Sequence, residues 1–271
     1  MISIEKSGYL SEEISQWIKK HRKENSEWFK LCEDINEFSH STMFTMTIHN
    51  RDLPELIVAS LHVRAMSNFQ GTIIMAERGM INEAKSLLRC LLECMFAVVA
   101  IEKDKNTAKQ LIFNDLLERK KYLKAYKRNK GKGVPHHADT VSMKKVDKQL
   151  QDIEKQIKNN KVNKSTIRDL AEKAGLVTIY DSAYKLLSGT IHVNAHDLEQ
   201  YLEINESGEV KKMLWGPDVQ EIDFVLLTAA ESMLSVLRAV SSLFKLPYDE
   251  SLQAILEKHA SLCKEFNEQC E

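Results

Sequence analysis

The sequence has few of the residues that break or turn a chain. Only nine Gly and four Pro occur in 271 residues, which is too few for the many turns of a sheet-rich protein. Apolar residues make up 43% of the chain and recur at spacings of three and four, as in amphipathic helices. The length suffices to bury a sizeable core. The sequence therefore predicts an all-α, multi-helix bundle that forms a single domain over residues 1–271.

Signals for export, membrane insertion and disulfide bonding are also missing. The five Cys are odd in number and include no C-x-x-C pair, which is typical of reduced thiols. The N-terminus, MISIEKSGYLSEEI, has no charged segment leading into an apolar run. No uncharged apolar run reaches the ~20 residues that a membrane span requires. We therefore expect a soluble cytoplasmic protein with no membrane partner.

Cofactor and metal motifs are scarce as well, because the chain has no Gly-rich phosphate loop. His192 and His196 are four residues apart and could both reach a metal ion, with Glu199 or Glu93 as a third ligand. A di-iron helical bundle, however, needs Glu-x-x-His on two helices, and the sequence does not have that pair. It predicts neither a metal site nor a cofactor.

One stretch of the sequence is unusually apolar. Residues Leu87–Ile101, LLRCLLECMFAVVAI, carry only two charges, Arg89 and Glu93. A helix that is apolar on nearly all sides is a buried one. The two charged residues are four apart, so they lie on one face of the helix and can pair. We expect this stretch to lie at the centre of the core.

A second stretch, Tyr184–His196, places polar residues on one face of a helix. Tyr184, Ser188, His192 and His196 follow one another at four-residue steps. If this stripe faces Arg89 and Glu93, the two helices enclose a cluster of guanidinium, carboxylate, phenol, hydroxyl and imidazole groups.

The predicted catalytic residues are Arg89, Glu93, Tyr184, Ser188 and His192. In one interpretation His192 transfers protons, Arg89 holds a phosphate and Glu93 orients one of them. In the other, the same groups form a hydrogen-bonded structural cluster that fixes the register of two core helices. The sequence leaves both open.

The pairing of LLRCLLE with YKLLSGTIH resembles a bacterial family of helical proteins catalogued only as a domain of unknown function, over about Leu61–Leu243. Arg-x-x-x-Glu and Tyr-x-x-x-Ser-x-x-x-His helices carry the resemblance. The family is loosely similar to HEPN proteins, many of which are RNases or partners of nucleotidyltransferases in bacterial conflict systems. The resemblance thus implies antiviral defence and a homodimer. The HEPN signature, an Arg with His four to six residues later, is not found after Arg64, Arg78 or Arg238.

Charge is distributed unevenly although the net charge is only -1. Residues 102–173 contain 20 Lys and Arg against 10 Asp and Glu, and the rest of the chain contains 18 against 29. We predict a projecting basic helical hairpin over residues 106–160, interrupted by the loop that carries His136 and His137. The predicted nucleic-acid-binding residues on its first helix are Arg119, Lys120, Lys121, Lys124, Lys127, Arg128, Tyr122 and Tyr126.

The basic residues of this hairpin suit nucleic-acid phosphates, and the two Tyr could stack on bases. Lys144, Lys145 and Lys148 on the second helix add to the charge. The alternative is that the charges form only a solvated surface.

Helix signals divide the rest of the chain. They predict a first helix from Ser11 to about Asn36 and a short helical piece near Thr42–His49. A later long helix opens at Pro217 and Asp218. A minor β-hairpin is expected near Ile204–Val210, with its turn at Asn205–Gly208.

Two classes of function follow. The first is a helical binding module that contacts RNA, DNA or a protein partner through the basic hairpin. The second is a HEPN-like, metal-independent RNase in which His192 and Arg89 support attack of a 2'-hydroxyl on a phosphodiester.

Overall fold

The computed structural model of the chain describes residues 4–130, 142–160, 162–189, 198–247 and 250–270. Its helices are α1 (Ile4–Ser7), α2 (Ile14–Glu24), α3 (Ser26–Thr45), α4 (Leu53–Glu77), α5 (Ile81–Lys103), α6 (Thr107–Asn129), α7 (Met143–Asn159), α8 (Ile167–Ala174), α9 (Val177–Ile179), α10 (Lys185–Gly189), α11 (Ile222–Phe244) and α12 (Glu250–Cys270). A π-helical turn, Tyr180–Tyr184, joins α9 to α10. The prediction of an all-α bundle is confirmed.

The minor hairpin is also present. Strands β1 (Leu202–Ile204) and β2 (Val210–Met213) pair antiparallel, and Leu202 lies opposite Met213. Gly208 supplies the turn with a φ of +84°, a conformation that Gly adopts without strain. The predicted turn at Asn205–Gly208 is therefore confirmed.

Helix α5 lies at the centre of the core, where it packs against α4, α8 and α11. As predicted, most of the stretch Leu87–Ile101 is buried, and Leu88, Leu91 and Phe96 are fully buried. Burying each such side chain stabilises the fold by about 1.5–3 kcal/mol relative to leaving it exposed.

Among the described residues, α11 is the one helix long and apolar enough to cross a membrane by length and composition. Its best window has a mean hydropathy of 1.5, and 67% of that window is buried inside the protein. The buried residues of α11, such as Val225 and Leu234, belong to the main core.

The prediction of one helix from Ser11 to Asn36 was wrong, because the chain breaks at Asn25. The backbone N–H and the side-chain amide of Asn25 both donate to the carbonyl of His21, at 3.1 Å each. Asn25 has a φ of −115° and a ψ of 32°, outside the helical region, so α2 ends there and α3 starts at Ser26. Helix α3 then continues to Thr45, so it includes the first half of the separate piece expected near Thr42–His49.

Helix α11 begins later than predicted, at Ile222 rather than near Pro217. Glu221, just before it, has a φ of +59°, which a helix interior does not allow. Its carboxylate pairs with the ammonium of Lys85 in α5. The segment before α11 is thus held against the start of α5 instead of joining the helix.

Gly79, at the end of α4, is where three parts of the chain meet. Its carbonyl accepts a hydrogen bond from the backbone N–H of Asp218 at 3.0 Å. Its φ is +70°, and a Cβ built on it would come within 2.7 Å of the Trp17 ring and 2.8 Å of Pro217 Cβ. Only Gly therefore lets α2, α4 and the segment before α11 approach so closely.

We expect Gly79→Ala to lower the free energy of unfolding by about 2–4 kcal/mol, because it adds a steric clash to a strained backbone. Urea denaturation followed by circular dichroism measures this. Gly208→Ala is the matched control: its φ is also positive but no atom lies within 4 Å of the added Cβ, so we expect a loss of only about 1–2 kcal/mol. Equal losses would contradict the close approach at Gly79.

Helices α6 and α7 pack on each other through buried Phe113, Leu116, Val146 and Ile153. The start of α6 is fixed to α8 by Lys173, whose ammonium donates to Gln110 at 2.7 Å and Thr107 at 3.3 Å. The predicted hairpin thus consists of two helices in contact, and its projection from the body stays a prediction.

Candidate functional site

The candidate site starts from an irregular helical segment after α8. A capping box between Thr166 and Asp169 opens α8, and Gly175 closes it with a φ of +71°. The chain then turns back through α9, the π-helical turn and α10. In the π-helical turn Tyr180 and Tyr184 stack at 5.0 Å between ring centroids, and Phe96 of α5 meets Tyr184 edge-on at 5.8 Å. π-Helical turns often occur at functional sites.

Arg89 is the centre of a polar cluster, which we define as Arg89, Glu93, Tyr184 and Ser188. Its Nη2 donates to the Tyr184 hydroxyl at 2.8 Å, and its Nε donates to Ser188 Oγ at 3.1 Å. Tyr184 in turn donates to Glu93 Oε1 at 2.9 Å. Arg89 and Glu93 also pair directly at 3.4 Å, one helical turn apart. Each member therefore has at least one partner within the cluster.

The structure thus brings together four of the five predicted catalytic residues. The fifth, His192, lies outside the described residues, as do His196, His136 and His137. The role of the cluster in catalysis stays a prediction.

Burial controls the electrostatics of the cluster. It raises the pKa of Tyr184 to about 12, with a further contribution from the Glu93 carboxylate that accepts the phenol proton. The side chains of Arg89 and Glu93 are 22% and 33% exposed, so the cluster has one side open to solvent. Tyr184 is a neutral hydrogen-bond donor there at physiological pH.

We expect Tyr184→Phe to lower the free energy of unfolding by about 1–2 kcal/mol near neutral pH, because it removes the hydroxyl that joins Arg89 to Glu93. The pKa of Tyr184 is higher in the folded protein than the ordinary value of 10.0. Its stabilising effect is therefore complete below pH 10 and declines as the pH rises toward 12.

Urea denaturation of both proteins over this pH range tests the prediction. The difference between wild type and Tyr184→Phe should narrow as the pH rises. A constant difference would mean that the phenol makes no folded-state contact that depends on its proton.

The predicted nucleic-acid-binding residues of α6 are mostly paired with acids. Lys120 and Lys124 both reach Glu154 of α7, at 3.0 and 3.6 Å, and Lys127 reaches Asp147 at 2.6 Å. Glu154 consequently has a lowered pKa, chiefly through its hydrogen bond from Lys120. These lysines link the two helices and are less free to contact phosphates than the sequence suggested.

Other basic residues of α6 pair within that helix. Arg119 contacts Asp115 at 2.7 Å and Lys121 contacts Glu118 at 2.7 Å. Arg128 is exposed, and the ion pairs given for the described residues do not include it. The acids that pair with the basic residues of α6 come from the preceding turn of that helix and from α7, so the order of charges along α6 does not reveal the pairing.

The unpaired basic surface lies instead on α7. Its apolar residues Val146, Leu150, Ile153 and Ile157 share one side, and Val146 and Ile153 are buried. With 3.6 residues per turn, Lys144, Lys148 and Lys155 lie on the opposite side; we call these three the α7 lysine face. All three are exposed, and no ion pair in the described part of the chain involves them.

Lys145 and Lys158 flank the α7 lysine face, and Asp152 is the one acid near its centre. The apolar spacing of α7 was visible in the sequence and would have located this face.

The predicted aromatic residues do not join this face. Tyr122 is 68% exposed, but it is two residues from Lys120, which points toward α7. On a helix, two residues correspond to nearly opposite sides. Tyr122 therefore lies on the side of α6 away from α7, and Tyr126 is only partly exposed.

No group of three or more His, Cys, Asp or Glu with the arrangement of a metal site occurs within the described ranges.

Comparison with known proteins places the chain in a family. The model described as "Family of unknown function (DUF5677)" matches residues 55–210, which is more than half of the 271 residues and includes the polar cluster and α7. No curated protein and no solved structure gives a significant match. The expectation of an uncharacterised family is confirmed, whereas the HEPN similarity and the bacterial setting stay predictions. The chain belongs to DUF5677, a family of unknown function.

Proposed function

We propose that the chain is a helical module that binds nucleic acid through phosphate contacts made by the α7 lysine face. The observation that carries the proposal is the exposure of Lys144, Lys148 and Lys155 on one side of a helix whose opposite side packs on α6. At 1.5 Å per residue these lysines span about 17 Å, enough to meet several consecutive phosphates.

Electrostatics support this surface rather than α6. A lysine contributes to phosphate binding by displacing condensed counterions from the nucleic acid. An ammonium already held by a carboxylate, as Lys127 is by Asp147 at 2.6 Å, must first lose that partner. The lysines of α7 that have no such pair are free to make the contact.

The side chains beside the α7 lysine face indicate how this face would bind nucleic acid. The α7 lysine face has no aromatic side chain, and Tyr122 lies on the far side of the paired helices. Contacts to the backbone without base stacking give affinity without sequence preference. We therefore propose binding that depends on charge, to single-stranded and duplex nucleic acids alike.

In this proposal the polar cluster has a structural role. Arg89 has hydrogen bonds to Tyr184 and Ser188, so it fixes the irregular segment after α8 against α5. The capping box of α8 and the ammonium of Lys173 then fix the start of α6. The cluster thus indirectly supports the helix pair that presents the lysines.

Replacing Lys144, Lys148 and Lys155 together with Gln tests the proposal. Binding of a fluorescent RNA of about 20 nucleotides, followed by anisotropy, should weaken at least tenfold, and the slope of log K against log salt should fall by about 2–3. A duplex DNA probe should respond in the same way.

The matched control is Lys19, Lys20 and Lys23 to Gln on α2, three exposed lysines whose loss changes the net charge equally. It should leave the salt slope nearly unchanged. Equal effects of the two triple variants would show that only net charge matters. No binding by the wild-type chain would direct attention to a protein partner.

A second candidate is the metal-independent RNase, favoured by the partial exposure of Arg89 and Glu93 at 22% and 33%. A phosphate could approach the guanidinium from the open side. His192 would accept the proton of a 2'-hydroxyl, whose oxygen attacks the phosphorus. The bond from phosphorus to the 5'-oxygen would break, and that oxygen would take a proton from water. The products are a 2',3'-cyclic phosphate and a 5'-hydroxyl end.

Incubating single-stranded RNA with the protein in EDTA tests this second candidate. His192→Ala should abolish cleavage while leaving RNA binding unchanged, and Ser188→Ala should reduce it by a smaller factor because Ser188 only positions Arg89. Cleavage that persists in His192→Ala would exclude the mechanism. If the wild-type protein leaves the RNA intact, the RNase proposal fails and only the nucleic-acid-binding proposal remains.

A further inference from the structure

A second candidate site lies on the other side of the π-helical turn. A cleft of about 320 Å³ is enclosed by the turn region, α11 and α12. Its lining residues are Ile179, Ser182, Ala183, Leu227, Thr228, Glu231, Ser232, His259 and Cys263. None of them belongs to the polar cluster or to the α7 lysine face, so this cleft is a distinct feature of the molecule.

A buried imidazole lines one part of the cleft. His259 is 9% exposed. Its Nε2 lies 3.5 Å from Glu231 Oε2 and 3.5 Å from Cys263 Sγ, and the same Sγ lies 3.8 Å from Nδ1. The imidazole therefore forms part of the wall of the cleft beside the Glu231 carboxylate.

This group is not arranged as a nucleophilic triad. Glu231 approaches Nε2 of His259, and Cys263 Sγ lies 3.5 Å from Nε2 and 3.8 Å from Nδ1, so no carboxylate orients the imidazole from the side opposite the thiol. Burial raises the pKa of the Cys263 thiol, which lowers its reactivity. Burial also lowers the pKa of His259. These properties indicate binding rather than covalent chemistry.

The polar groups of the cleft are mainly acceptors. The Ser182 hydroxyl donates to the carbonyl of Thr178 at 2.7 Å, and the Ser232 hydroxyl donates to that of Thr228 at 2.6 Å. Each of these two hydroxyls can therefore only accept a hydrogen bond from a ligand in the cleft. Glu231 is the one residue of the lining with a formal charge at neutral pH. A ligand that suits this set supplies hydrogen-bond donors and positive charge.

The rest of the lining is apolar. Ile179 and Ala183 come from the turn region, and Leu227 lies one helical turn before Glu231 on α11. Hydrocarbon can pack on these three side chains while its charged end reaches Glu231. The two requirements together describe an amphipathic cation.

We propose that this cleft binds a small organic amine with an aromatic or aliphatic body. The ammonium contacts the Glu231 carboxylate from the cleft, beside the His259 imidazole, and the body packs against Ile179, Ala183 and Leu227. The proposal does not depend on nucleic-acid binding.

Three probes of similar shape test the charge requirement: phenethylamine, 2-phenylethanol and 3-phenylpropionate. Binding to the full chain is followed by NMR of ¹³C-labelled Ile, Leu and Ala methyl groups. Phenethylamine should bind in the millimolar range or better and about tenfold more tightly than 3-phenylpropionate. The shifts should centre on Ile179, Ala183 and Leu227.

Substitutions in the lining of the cleft test whether phenethylamine binds there. Glu231→Gln should weaken phenethylamine about tenfold and leave 2-phenylethanol unchanged. The matched control Glu257→Gln removes an exposed carboxylate elsewhere on α12 and should change neither. Ala183→Leu should fill the cleft and reduce binding of both probes, with circular dichroism confirming that the chain stays folded.

Three outcomes would overturn the proposal. The first is equal binding of phenethylamine and 3-phenylpropionate. The second is no methyl shift with phenethylamine at about 10 mM, a concentration well above the affinity expected here. The third is binding that survives in a folded Ala183→Leu variant.

Discussion

Helix α5 imposes the constraint on which the rest of the molecule depends. Because it is apolar on nearly every side, it must be covered all round by other helices. Helices α4, α8 and α11 supply that cover, and α8 leads into the turn region that places Tyr180 and Tyr184 against Phe96. The two charges of the stretch Leu87–Ile101, Arg89 and Glu93, then need partners where these covering helices meet solvent.

The polar cluster meets that requirement. Arg89 cannot lie against an apolar helix without partners, because an unpaired buried charge costs several kcal/mol. The Tyr184 hydroxyl accepts a hydrogen bond from Arg89 and donates one to Glu93, so one hydroxyl satisfies both charges. The same arrangement leaves part of each charged side chain exposed. A structural role and access for a phosphate are therefore compatible in this geometry.

The parts of the structure that follow from local spacing were predictable. The buried stretch of α5, the i,i+4 pair of Arg89 and Glu93 and the turn at Gly208 each depend on a few neighbouring residues. The approach of Tyr184 to Arg89 spans about ninety-five positions, and it was anticipated through a resemblance and a periodic stripe rather than through either residue alone.

Other features were not predictable because they depend on the register between distant helices. The acids that hold Lys120 and Lys127 come from α7, and their alignment is set by how Val146 and Ile153 pack on α6. The break at Asn25 depends on the backbone conformation of one residue, within a sequence that otherwise looks helical. Position on a helix face, rather than order along the chain, determines which charges stay available.

The π-helical turn has a consequence for the geometry of the polar cluster. Such a turn contains one residue more than an α-helical turn, so it rotates everything after it by about 100° relative to a regular helix. Straightening this segment into a regular α-helix of the same length would therefore swing Tyr184 and Ser188 away from Arg89. The backbone conformation of Tyr180–Tyr184 thus constrains the polar cluster as strongly as the identity of its side chains does.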